Sequence, residues 1–254
     1  MQNPARKRHV VWIARHYGNR MRTGSLAWPN VVLLLAGLAL TGVAHAHGMA
    51  GADAAFVAAN EGVQLIPFIY LGAKHMVTGY DHLLFIFGVI FFLYRLSHVA
   101  LYVTLFSLGH SITLLTGVLG GIHVNPFVID AIIGLSVVYK AFDNLQGFKS
   151  LFGIELNQKA AVLVFGLFHG FGLATKLQDL NPSKDGLLAN MLSFNVGVEL
   201  GQLIALSCML GVIVLWRKSA TFTRHAVLAN AALLTAGLVL VGYQLTGFFT
   251  SQGA

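Results

Sequence analysis

The stretch His75-Met-Val-Thr-Gly79-Tyr-Asp81-His82-Leu-Leu-Phe85-Ile-Phe-Gly88-Val-Ile-Phe-Phe-Leu-Tyr94 sets two imidazoles and a carboxylate at the mouth of a long apolar run. A titratable side chain is costly beside hydrocarbon, so one placed there marks a site. The other polar residues set inside apolar runs, His110, His169 and Glu199, are read by their position relative to this triplet.

Composition gives the class. Of 254 residues 56% are hydrophobic and only 10% charged, where a soluble domain carries roughly 25% charged residues. The chain therefore reads as an integral membrane protein with several spans. The net charge of +7 is no nucleic-acid signal. Six of the sixteen Lys and Arg residues (Arg6, Lys7, Arg8, Arg15, Arg20 and Arg22) fall in the first 22 positions, which hold no acid. From His47 onward ten basic residues face nine acidic ones.

The basic head leads into the apolar run Val31 to Val43 and then Ala44-His45-Ala46. That is the order of a secretory signal peptide, with cleavage expected after Ala46; the alternative is an uncleaved signal anchor, for which the apolar run is short. Cleavage would expose His47, whose amine and imidazole can chelate a metal. The single Cys208 excludes a disulfide framework and reads as a small packed hydrophobe.

Residues 47–62 read as a loose extracytoplasmic lead, followed by one transmembrane domain over 63–250. Val63 to His75 is too short to span and is expected to form a half-inserted helix broken near Gly79. Six spans are expected at about 80–96, 99–120, 126–145, 160–178, 187–215 and 226–249, an all-α polytopic bundle. With the mature N-terminus outside, the inner loops hold Arg95, Lys140, Lys149, Lys159, Arg217, Lys218 and Arg224. This satisfies the positive-inside rule and puts both mature termini in the periplasm. Gly197 and Gly201 form a Gly-x-x-x-Gly pair suited to close helix packing.

On this topology the polar residues fall at two depths. Asp81 and His82 lie near the outer end of the first span, with His75 folded back over them. His110, His169 and Glu199 lie near mid-membrane. Asn195, Glu199 and Gln202 share one face of the fifth span by their spacing. Several imidazoles with carboxylates suit Ni, Co, Zn, Cu or Fe, and fit Mg or Ca poorly. The bland reading is that His110, Asn195 and Gln202 tie helices together by hydrogen bonds.

His75-x5-Asp81-His82-Leu-Leu-Phe85 resembles the first-span motif of the HupE/UreJ family of hydrogenase and urease accessory membrane proteins. Gly109-His110-Ser111, Phe168-His169-Gly170, Phe194-Asn195-x-Gly197-Val198-Glu199 and the His beside the signal cleavage site strengthen the likeness. The resemblance implies a six-span inner-membrane protein. It also implies a nickel or cobalt permease role for some members, in which His75, Asp81 and His82 serve transport. This sequence departs from the permease-like pattern at Leu173 and Lys176, where that pattern has His and Glu.

The expected function is therefore binding and transport of a divalent transition-metal ion, nickel or cobalt first, at His75, Asp81, His82, His110, His169 and Glu199, aided by His47 and Asn195. The chain is read as accessory to maturation of a metalloenzyme; its expected partners are the lipid bilayer, the metal ion and a metalloenzyme or its maturation proteins, with no nucleic acid. It is read as no enzyme itself. A membrane-embedded metalloenzyme and a non-transporting scaffold are the alternatives.

Overall fold

The computed structural model describes residues 52–219 and 222–252, all within one compact unit. The signal segment 1–46 and His47 lie outside the described residues. Among the described residues nine helices run in order: α1 Ala52–Ala59, α2 Leu65–Thr78, α3 Tyr80–Ile90, α4 Leu96–Gly120, α5 Pro126–Asn144, α6 Gly147–Phe152, α7 Gln158–Asp179, α8 Leu187–Arg217 and α9 Phe222–Gln252. No strand occurs among the described residues.

Among the described residues four helices are long and apolar enough to cross a membrane: α4, α7, α8 and His225–Gln252 of α9. Their ends follow from local chemistry. Asn125 caps α5, its side-chain oxygen accepting from Phe127 N at 3.0 Å and Val128 N at 3.3 Å, with Pro126 at the first helical position. Pro there loses no bond, because the first amides of a helix have no partner inside it. Asn157 caps α7 in the same way. Gly121, at φ 62°, ends α4 in the left-handed conformation that glycine adopts without strain.

The helices pack as three close pairs: α2 along α8, α4 along α7, and α5 along α9. Each pair is built on glycine. A Cβ on Gly197 would run into the Ile69 carbonyl, and one on Gly72 into the Phe194 carbonyl. The α2 and α8 backbones therefore touch as a Gly-x-x-x-Gly surface allows. A Cβ on Gly170 would likewise strike His110 O, which fixes α4 against α7 beside two of the histidines.

The expected half-inserted helix and first span over 80–96 are replaced by one broken helix. α3 stops at Ile90 after 11 residues, about 16 Å, too short to cross alone. Yet α2 and α3 together accompany α8 over its whole length. Near the α2 end, Gln64 N donates to Asn190 Oδ1 at 2.7 Å; near the α3 end, Arg217 donates to Ile90 O, Phe91 O and Leu93 O at 2.6–2.8 Å. The arginine satisfies the orphan carbonyls at the end of α3. Gly79 is thus a break halfway down the bundle.

Three smaller differences follow from packing. The lead forms helix α1, tied to α2 by a 2.6 Å Lys74–Asp53 ion pair. Lys140, expected in an inner loop, is buried in α5 and paired with Asp143 at 2.8 Å. Cys208, expected to be packed inside, is exposed on α8.

Candidate metal centre

The break at Gly79 builds the site. Gly79 N donates to His75 O at 2.9 Å, closing α2, and Leu83 N donates to Gly79 O at 3.1 Å, opening α3. A Cβ on Gly79 would lie 3.0 Å from His75 O, 3.1 Å from His82 Nδ1 and 3.4 Å from Asp81 Oδ1. The glycine is needed here for space, since its φ of −73° suits any residue. The turn brings the His75 ring to 5.1 Å from that of His82, edge to face.

α4 and α7 complete the cluster. The His82 ring lies 5.7 Å from His110 and 4.7 Å from His169. Thr113 donates to Leu167 O at 2.7 Å and holds the two helices in register. Two groups emerge whose ligand atoms lie within 4.8 Å of one another: His75, His82 and His110, and Asp81, His82 and His169. His82 belongs to both. Two ligands on one ion, with bonds of about 2.1 Å, stand roughly 3–4 Å apart, so small ring rotations close either group on a cation.

All five residues are buried; Asp81 and His110 are 0% exposed. His82 Nδ1 lies 3.2 Å from Asp81 Oδ1, and the tautomer that donates there carries its lone pair on Nε2. His169 is oriented by Ser136 of α5. The Ser136 hydroxyl donates to Ile133 O at 2.6 Å, so it accepts from His169 Nε2–H at 3.2 Å. That tautomer puts the His169 lone pair on Nδ1. Oriented imidazoles of this kind are what metal ligation uses. Nε2 of His75 and both ring nitrogens of His110 are buried with no hydrogen-bond partner. Unsatisfied buried polar atoms are costly, and a cation would satisfy them.

The two expected depths collapse into one. Because α2 descends along α8, the triplet at Gly79 meets His110 and His169 at the same level. Glu199 is not brought there. It is exposed on α8, on the face that carries Leu192, Val196 and Leu203. Its sequence spacing with Asn195 and Gln202 suggested a shared face; 31 residues of α8 packed through Gly197 and Gly201 turn it outward instead. Asn195 is buried, and neither amide atom has a partner. It lies seven residues before Gln202, which accepts from Ser107 of α4 at 2.7 Å. Sequence reasoning missed Ser136, a lone hydroxyl in Leu135-Ser136-Val137 that carries no motif.

Comparison with known proteins agrees with the motif reading. The family model described as HupE / UreJ protein matches residues 51–252, and the chain belongs to that family. No curated protein and no solved structure matches it.

Proposed function

We propose that this HupE/UreJ protein binds a divalent transition-metal ion, nickel or cobalt first, at His75, Asp81, His82, His110 and His169 and carries it across the bacterial inner membrane. The observation that carries the reading is the shared position of His82. It stands in two buried three-ligand groups, at a helix break halfway down the bundle. Broken helices at mid-membrane are where transporters hold their ions. Four imidazoles and one carboxylate favour Ni, Co or Zn over Mg or Ca.

Six crossings fit this reading: α2 with α3 as one broken crossing, then α4, α5, α7, α8 and α9. With a cleaved signal peptide both mature termini are periplasmic, and His47 is a first contact for the ion. The charge of the ion supplies a driving force. A dication moving inward gains about 4.6 kcal/mol per 100 mV of membrane potential, twice the single-charge value. The delivered ion serves maturation of a metalloenzyme.

Cobalt titration of the purified protein in detergent tests the binding step. Wild type is expected to take up one Co2+ with a visible absorption band, and His82→Ala to lose it. Equal binding by both proteins, or none by wild type, overturns the proposal. A metal retained through chelator washing without counterflow uptake would instead support a fixed-metal enzyme.

A further inference from the structure

Besides the histidine cluster, the seam between α5 and α7 carries two buried charged pairs. The two helices exchange three polar contacts along their length: Lys176 with Asp130 at 2.7 Å, His169 with Ser136 at 3.2 Å, and Gln158 with Asp143 at 2.9 Å. Asp143 also takes Lys140 at 2.8 Å. Six and seven residues of α5 separate these rungs, about 9 and 10 Å of helix. The cluster is therefore the middle rung, with a lysine–carboxylate pair on either side.

The Asp130 pair is only half used. Lys176 binds Oδ2, while Oδ1 is buried without a partner in a residue 6% exposed. Oδ1 lies 3.5 Å from where a Cβ on Gly172 would sit. Gly172 falls between Lys176 and His169 on α7, so the spare oxygen faces the space left by the missing side chain, one turn from His169. Between the middle and far rungs, the Tyr139 ring lies 5.2 Å from Phe165 of α7, and its hydroxyl is also buried and unpartnered. Buried ion pairs are weak sources of stability, since apolar replacements of similar size often do as well. A half-used carboxylate in a buried seam suits a group that exchanges one cation for another.

We propose that the α5–α7 seam carries the divalent cation to and from the histidine cluster, with Asp130 as a second cation-binding carboxylate closed by Lys176 and Asp143 as its counterpart closed by Lys140. An arriving dication displaces the lysine ammonium from its carboxylate, and the lysine returns when the ion moves on. The inference rests on the metal-binding reading of the cluster.

Two measurements on the full chain separate the claims: equilibrium Co2+ binding in detergent and Co2+ uptake into proteoliposomes. Asp130→Asn and Asp143→Asn are expected to bind Co2+ at the cluster within twofold of wild type and to lose at least tenfold in initial uptake rate. The double replacement Asp130→Asn with Lys176→Met nearly keeps the volume, removes both charges, and is expected to elute as wild type with the same uptake loss. If the double variant does not assemble, Asp130→Asn decides on the same two readouts. Wild-type uptake by Asp130→Asn and Asp143→Asn, with His82→Ala inactive, removes the seam and leaves the cluster standing. Absence of Co2+ binding by wild type removes both.

Discussion

Replacing His110 by leucine should stabilise the metal-free protein while removing its response to metal. His110 is 0% exposed, and neither ring nitrogen has a hydrogen-bond partner. Each such buried atom costs about 1–3 kcal/mol. Leucine fills a similar volume beside Phe106 and needs no partner. Relief of only 2 kcal/mol raises the melting midpoint by about 4–8 °C in a chain of this size. Bound metal reverses the order. At a free concentration of 100 times Kd, a ligand adds about 2.7 kcal/mol to the protein that binds it. Wild type should rise with Co2+, and His110→Leu should stay nearly flat. Thermal unfolding of chelator-washed protein, with and without Co2+, reads both numbers. A metal-free His110→Leu that melts below wild type would refute the reasoning, because the histidine would then be making stabilising contacts of its own.

Gly79→Ala keeps an allowed backbone but sets a methyl 3.0–3.4 Å from His75 O, His82 Nδ1 and Asp81 Oδ1. It should cost about 1–3 kcal/mol of stability and weaken Co2+ binding by about tenfold, read by titration; unchanged affinity would contradict the geometry. Gly72→Leu drives a side chain into the Phe194 backbone and should prevent assembly, seen as loss of the monodisperse peak on size exclusion. Glu199→Gln should leave Co2+ affinity within twofold, because the carboxylate faces away from the cluster; a tenfold loss would return Glu199 to the site. Asn125→Ala should cost about 1 kcal/mol through the lost cap of α5, a drop of about 2–4 °C in the melting midpoint.

Much of the site was legible because lipid makes buried polar groups conspicuous. His75, Asp81, His82, His110 and His169 stand out against apolar runs in the sequence alone. Their depth was not legible. The length of 63–75 argued for a shallow element, whereas the contacts of Gly72 with Phe194 and of Gly197 and Gly201 with Ile69 and Ala73 show α2 running down beside α8. Glu199 misled for a related reason. Period alone places residues on a common face but does not say which face a neighbouring helix will take. The Ser136–His169 contact and the Lys176–Asp130 pair depend on the antiparallel register of α5 and α7, across 33 and 46 residues of sequence, and no local pattern announces such a register.

The account turns on His82 meeting a cation together with its imidazole neighbours. X-ray absorption at the cobalt edge of the loaded protein tests this directly. The expected spectrum is a first shell dominated by imidazole nitrogens at about 2.1 Å, with outer-ring scattering that falls in His82→Ala. An oxygen-only shell, or a spectrum that His82→Ala leaves unchanged, would contradict it.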